Sequence, residues 1–361
     1  MNTAVLELAV RDPGIPGLRT LLDPASLSDV VGASVHVRHL RYKPGASVLV
    51  AYTTPAGAHW AGAWSGADKP ASAERRDPTV RALPGIAWSA GGPARSDRVL
   101  ARAVQDAERH EPSWRRAEIV RHNPGRRLVV RTGGEYAKTA PGRASAALRA
   151  AELLGRAGVP TLVPRLVTEH AWATASWGDG DLASSPSPAH AAAAGAALAR
   201  LHAVSVDEAG AVETPDVRAR SAARALRTVL PATARRVDEL ARRLPRARRR
   251  AIVHGDFSAD QVLHRPDGRI RLIDLDRLGA GDPAMDLAGF AVEEFFRTGD
   301  LAATTSLFAA YRAAGGVATE ADWRAWTPLC ALERAIEPFR RCEPHWPSAV
   351  MARLERAEDL L

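Results

Sequence analysis

Cysteine is nearly absent: Cys330 and Cys342 are the only two in 361 residues, and no Cys-x-x-Cys pair occurs. That excludes a disulfide framework and a cysteine-built structural zinc, and makes a reducing cytoplasm the expected compartment. No run of about 18 apolar residues is present, so no membrane-spanning helix is expected. The opening MNTAVLELAVRDPG lacks a basic start followed by an apolar block, so no secretory leader is expected either. Aromatic residues make up 5% and are not interleaved with basic clusters, so the net charge of +8 does not read as a nucleic-acid surface. The densest basic run, Leu240 to Ala251, reads as the end of a solvated helix and its following turn. Lysine is scarcer still. Of 49 basic residues only Lys43, Lys69 and Lys138 are lysine, within a composition biased to Ala, Arg, Gly and Pro. A lysine kept against that bias marks a place where a compact point charge serves and a planar guanidinium does not, which singles out Lys138. No G-x-x-x-x-G-K-[ST] loop exists.

What is present is long enough for several domains: hydrophobic residues are 46% and charged residues 25%, as in globular proteins. Ser34 to Thr54 alternates on both sides of Lys43-Pro44-Gly45 and predicts a β-hairpin. Ser65 to Ser96, rich in Pro, Gly and Ala, predicts a linker or irregular loops. Trp114 to Ala140 predicts three strands, the last two joined at Gly133-Gly134. Arg41-Tyr-Lys-Pro-Gly45 aligns with Arg121-His-Asn-Pro-Gly125, a weak internal repeat of a small sheet unit. Arg143 to Pro160 and Ala189 to Val204 predict helices, Leu162 to Val167 a short strand, and Arg218 to Arg243 one further helix. From Pro283 onward the chain reads as nearly all helix. A β-rich first part and a helical second part predict a bilobal α+β protein with a cleft between lobes.

The chemistry concentrates in HGDFSADQVLHRPDGRIRLIDLDR, His254 to Arg277. Arg265-Pro-Asp-Gly268 is a turn: Pro presets φ, Asp bonds the backbone, and Gly accepts positive φ. It joins two short strands, so Gln261 at the start of one is brought near Asp274 at the end of the other. Asp256 lies in the loop leading in. A carboxylate, a carboxamide and a second carboxylate suit Mg²⁺, which takes oxygen ligands and shares them with phosphates. On the residues alone, Asp256, Asp260, Asp274 and Asp276 are either such a site or ordinary loop carboxylates.

HGDFSADQ followed by LIDLDRLGAGDPAMDLA resembles the catalytic core of the aminoglycoside phosphotransferase (choline kinase-like) family, whose pattern runs H-G-D-x-x-x-x-N, I-D, G-D-P-x-x-D-L-A. The match is close over Val253 to Ala288 and looser from Ile119 to the end. Arg334 to Pro347 is similar to the corresponding segment of large actinobacterial members. The resemblance implies a protein-kinase-like fold with a β-rich N-lobe, a helical C-lobe and an extra N-terminal β-containing module. The expected division is 1–95 for the module, 96–175 for the N-lobe and 176–361 for the C-lobe. It implies ATP and Mg²⁺ as cofactors and a small-molecule hydroxyl acceptor, with neither nucleic acid nor membrane as partner. Asp256 would orient the acceptor hydroxyl, Asp274 and Gln261 would hold Mg²⁺, and Lys138 would meet the nucleotide phosphates. Arg126 or Arg127, in the turn His122 to Arg127, would reach the nucleotide. His254 would brace the loop, Asp286 would support it, and Asp282 would cap the helix begun by Pro283. Asp260 and Asp276 would be structural or peripheral.

Three departures qualify the pattern. Gln261 stands where most of the family has asparagine, as in maltokinase-like sugar kinases; its amide oxygen is the same ligand one methylene further out. Glu152 is the only carboxylate between Lys138 and Pro160, and so the candidate partner of Lys138. The first hundred residues resemble the N-terminal cap of maltokinase-like members, expected to pack on the nucleotide lobe. An acidic wall drawn from Asp286, Glu293, Glu294, Glu333, Glu337 and Glu343 would suit a cationic amino sugar. The expected activity is ATP-dependent phosphorylation of a polyhydroxyl or amino-sugar-like molecule. A Ser/Thr kinase acting on a natural-product peptide and a nucleotide-binding pseudokinase scaffold are the alternatives.

Overall fold

The computed structural model describes residues 2–206 and 214–360. Three short helices, α1 (Thr3–Arg11), α2 (Leu18–Leu22) and α3 (Pro24–Val31), lead into an antiparallel meander of β1 (His36–Lys43), β2 (Ser47–Thr54), β3 (Gly57–Trp64) and β4 (Ser89–Pro93). The stretch 65–96, expected to be irregular, therefore carries β4 and also α4 (Asp68–Arg76). Burial explains the miss. Ser89, Ala90 and Gly91 are small because they pair with β3 beside the buried Trp60, and small residues give no strand signal.

After α5 (Ala101–His110), a second sheet is built from β5 (Glu118–Asn123), β6 (Arg127–Arg131), β7 (Glu135–Thr139), β8 (Arg165–Thr168) and β9 (Ala171–Ala175), in the order β5-β6-β7-β9-β8. Helix α6 (Ala144–Arg156) lies between β7 and β8 in sequence. The repeat seen in the sequence appears as two hairpins with the same turn: Gly45 and Gly125 both have φ +67°, a conformation that favours glycine. Strand β1 packs beside β5, so the two hairpins meet.

The N-terminal module does not rest on the second sheet alone. Its apolar residues Leu8, Leu21 and Leu40 belong to one core with Leu332, Ile336 and Phe339 of the helical lobe. Tyr42 meets Phe339 edge to face at 6.3 Å, and Arg11 donates to the carbonyl of Thr228 at 3.2 Å. The module thus spans both lobes.

The helical lobe opens with β10 (Gly180–Asp181) and α7 (Pro188–His202), which Ser187 caps by accepting the His190 N–H at 3.4 Å. The expected single helix from Arg218 to Arg243 is two, α8 (Pro215–Val229) and α9 (Ala234–Arg242), because Pro231 has no N–H to continue the ladder. Strands β11 (Ala251–Val253), β12 (Val262–His264), β13 (Ile270–Leu272) and β14 (Gly279–Gly281) make two small sheets, β10-β12-β13 and β11-β14. Helices α10 (Ala284–Thr298), α11 (Ala302–Ala313), α12 (Glu320–Ala335), α13 (Glu337–Arg340) and α14 (Trp346–Glu358) follow. Helix α7 lies tightly on α11: a Cβ at Gly195 would sit 2.0 Å from the Leu307 carbonyl oxygen, so only glycine allows this contact. The basic run after α9 is used internally. The N–H of Arg248 binds Asp282 at 3.0 Å and the Arg249 guanidinium binds Asp322 at 2.5 Å.

Candidate active site

The loop between β11 and β12 is held from below by one carboxylate. Asp286, buried in the first turn of α10, accepts the backbone N–H groups of His254 at 2.7 Å and Gly255 at 2.9 Å. Its Oδ2 also meets His202 Nε2 at 3.1 Å, and the other ring nitrogen of His202 meets the Tyr311 hydroxyl at 3.1 Å. Burial pushes the Asp286 carboxyl up, but the His202 hydrogen bond and the backbone donors outweigh it and hold the group below its ordinary value. His254 Nε2 donates to the carbonyl of Ile273 at 2.9 Å, which ties the loop to the residue before Asp274. Phe257 stacks on Phe290 of α10 with ring centroids 5.6 Å apart, and both rings are fully buried. Burying such a ring contributes about 1.5–3 kcal/mol, enough to pin a short loop. Gly255 has φ +81°, and a Cβ there would lie 2.5 Å from the Arg277 carbonyl oxygen, so the turn that presents Asp256 requires glycine. Asp256 itself is half exposed at the cleft, with Arg277 at 3.5 Å and Arg334 at 3.9 Å.

The hairpin register brings Gln261 and Asp274 to one end, as Ile273 N–H donates to the Gln261 carbonyl at 3.0 Å. Asp274 takes a left-handed backbone, φ 60° and ψ 50°, a sparsely populated region that carboxamide and carboxylate residues tolerate best. Lys138 Nζ is 2.9 Å from Asp274 Oδ1, and Arg127 donates to both Asp274 oxygens at 3.1 Å. Asp276 closes the cluster, accepting from Arg127 at 3.2 Å and from Lys138. Burial raises the Asp274 carboxyl, but Lys138 and Arg127 prevail and hold it well below the usual carboxylate range. Lys138 stands on β7 opposite Trp172 of β9, with Nζ 5.3 Å from that ring.

These positions correct several expectations. Lys138 meets Asp274 and Asp276 rather than Glu152, which is exposed on α6 at the cleft wall. Asp276, expected to be peripheral, is the second carboxylate on that lysine. Of the two turn arginines, Arg127 reaches the carboxylates, whereas Arg126 opens into the cleft. Asp282 caps α10 by accepting the Ala284 N–H at 3.1 Å. The acidic wall does not form. Glu333 is held by Arg218 at 2.7 and 2.6 Å, Glu337 by Arg340 at 2.6 Å, and Glu293 by Arg297 at 3.2 Å. Glu294 is buried and accepts the N–H groups of Ala303 and Thr304 at 2.7 Å, capping α11. Sequence reading also missed His202, whose only signal was a polar residue ending an Ala-Leu helix.

The donors fit a hard cation without forming a closed cage. Among the described residues no three His, Cys, Asp or Glu side chains converge as a metal site. Gln261 gives its amide N–H to Asp260 at 3.1 Å, and its amide oxygen accepts no hydrogen bond among the described residues. One carboxylate and one free carboxamide oxygen are the partial ligand set that Mg²⁺ shares with phosphates. The cleft that Gln261 and Asp276 line measures about 1870 Å³ and is walled by the module, the second sheet and the helical lobe together. One drug-sized ligand fills roughly 300–1,000 Å³, so the space accommodates two reactants side by side.

The GDP and kanamycin complex of APH(2")-IIia is 18% identical, covers 72% of this chain and 98% of its own, and superposes with a TM-score of 0.51. A choline/ethanolamine kinase family protein from Mesorhizobium loti is 20% identical, over 68% of this chain and 87% of its own, with a TM-score of 0.48. The aminoglycoside phosphotransferase APH(3'')-Id from Streptomyces rimosus is 23% identical, over 65% and 96%, with a TM-score of 0.46. The comparison with curated proteins gives no match. The model of the phosphotransferase enzyme family (APH) matches residues 87–329, from the last strand of the module to the middle of α12, and the chain belongs to that family.

Proposed function

We propose that the protein transfers the γ-phosphoryl group of ATP to a hydroxyl of a small polyhydroxyl molecule, with Mg²⁺ held by Asp274 and Gln261. The observation that carries this reading is the charge pairing of Lys138 and Arg127 with Asp274 and Asp276, a cluster whose Arg127 and Asp276 line the same cleft as Asp256 and Gln261. Two cations and two carboxylates neutralise each other there. Lys138 and Arg127 would bind phosphate oxygens, and Asp274, released from them, would hold Mg²⁺ together with Gln261. A dication there would reduce, though not cancel, the charge that a triphosphate brings into a partly buried site.

Mg²⁺ would neutralise charge on the phosphates. The chain does the rest by positioning, which dominates phosphoryl transfer because its transition state is loose. Asp286 and Phe257 hold the loop, and Asp256 orients the acceptor hydroxyl and takes its proton. The acceptor oxygen then bonds to the γ-phosphorus as the bond to the β,γ-bridging oxygen breaks. His254 is not a base in this scheme, since its ring is fully buried away from the cleft and braces the loop through Nε2.

ADP release from ATP and Mg²⁺ with a panel of sugars and polyols tests the reading. Asp256→Asn should lower kcat by about 10²–10⁴-fold while ATP affinity stays the same. Equal turnover by wild type and variant would remove Asp256 from the reaction. A nucleotide-binding scaffold without turnover is the second reading, favoured by Gln261 and by the absence of a Glu152–Lys138 pair; steady phosphorylation of any acceptor rules it out.

A further inference from the structure

The cleft beyond the Lys138–Asp274 pair is strongly basic. Arg41 comes from β1 of the module, Arg126 from the β5–β6 turn, Arg277 from the segment after Asp274, and Arg340 from α13, and all four line the same cleft. Few acids neutralise them. Among the described residues Arg340 pairs with Glu337 at 2.6 Å and Arg277 with Asp256 at 3.5 Å, and Asp97 acts on Arg41. Arg41 Nη1 donates to the Pro124 carbonyl at 3.3 Å, which anchors it to the tip of the β5–β6 turn. The Arg126 guanidinium has no hydrogen-bond partner among the described residues. Burial and the neighbouring Arg41, Arg277, Arg340 and Arg127 lower its pKa, the mark of like charges crowded together. His39, in the same wall, adds no charge: burial pushes it down to about 4, against Glu337 and with help from Arg340, Arg121 and Arg126. Arg334, a second guanidinium beside Asp256, lies 3.9 Å from it.

Resting on the phosphotransferase reading, we propose that the hydroxyl acceptor carries an anionic group, phosphate or carboxylate, bound by Arg41, Arg126 and Arg277 with Arg340 at the cleft between module and lobes. Three of these four arginines stand on elements that carry neither Lys138 nor Asp274, and among the described residues none of the four bonds to that pair. A planar guanidinium is the side chain suited to bidentate contact with phosphate or carboxylate. A cationic amino sugar, by contrast, would enter a field of its own sign. The module's place in the protein follows: it supplies Arg41, and it brings the repeated hairpin against the turn that carries Arg126.

The test is calorimetric titration of inorganic phosphate into the full chain saturated with Mg²⁺ and the β,γ-methylene analogue of ATP, which fills all three nucleotide phosphate positions. Glucose 6-phosphate, glucuronate, glucose and glucosamine are titrated in parallel. Phosphate and at least one anionic sugar should bind, with glucose 6-phosphate and glucuronate separating phosphate from carboxylate. Arg41→Gln and Arg277→Gln should each weaken phosphate binding about tenfold or more, and leave affinity for the ATP analogue within about twofold. Arg277→Lys, which keeps the charge, controls for folding and should lose less. No binding of any anion to the nucleotide-loaded protein, anion binding indifferent to both Gln variants, or a preference for glucosamine would overturn the proposal. Should the ATP analogue itself not bind, the phosphotransferase reading fails separately. Phosphate binding to the free protein, lost in both Gln variants, would then uphold the anion site, and its absence would overturn that too.

Discussion

Lys138 Nζ lies 2.9 Å from Asp274 Oδ1 across 136 residues of sequence, and this one contact joins the β-sheet lobe to the helical lobe at the candidate metal ligand. The Trp172 ring and the carboxylates of Asp274 and Asp276 hold the lysine in place. Lys138→Ala removes a point charge that arginine cannot replace in the same space. It should lower kcat/KM by about 10²–10³-fold, as loss of one charge-stabilising donor commonly does. Lys138→Arg should recover little of it. Steady-state kinetics on both variants check this.

The acid limb of stability follows from Asp274. Its carboxyl is held below the ordinary range in the folded chain and returns to about 3.9 on unfolding. The stabilisation is therefore fully present above about pH 4 and is lost as pH falls from there toward the folded value. Asp274→Asn should flatten the fall in melting temperature between about pH 5 and pH 3, relative to wild type. A parallel fall in both proteins would show that Asp274 is not stabilised by Lys138 and Arg127.

Asp286 bears on folding as well as on the loop. Asp286→Ala would leave two backbone N–H groups and His202 without their buried acceptor. Breaking a buried charged network in this way costs about 3–5 kcal/mol. Urea denaturation should show a midpoint shifted down with an unchanged slope.

How far the sequence could be read depended on whether a residue's partners were local. Gln261 and Asp274 flank two short strands joined by a Pro-Asp-Gly turn, so their approach was legible from the hairpin alone. Lys138 stood out through scarcity. Its partners did not: Asp276 reaches it from a short 3₁₀ turn after a left-handed residue, a geometry that strand alternation does not describe. The pairs Arg218–Glu333 and His202–Asp286 join helices far apart in sequence, so the acids of an imagined wall proved to be committed elsewhere. Strand β4 was hidden by small residues chosen to fit under Trp60, and the break between α8 and α9 was marked by Pro231 but overridden by the helical periodicity around it.

The central claim is that Asp274 and Gln261 hold a metal with ATP. Thermal unfolding with ATP, with and without Mg²⁺, on wild type and Asp274→Ala tests it most directly. ATP at about 100 times its Kd should add about 2.7 kcal/mol to the stability of the wild type, only when Mg²⁺ is present, and should add almost nothing to the variant. Stabilisation equal with and without Mg²⁺ and equal in both proteins, or no stabilisation at all, would contradict it.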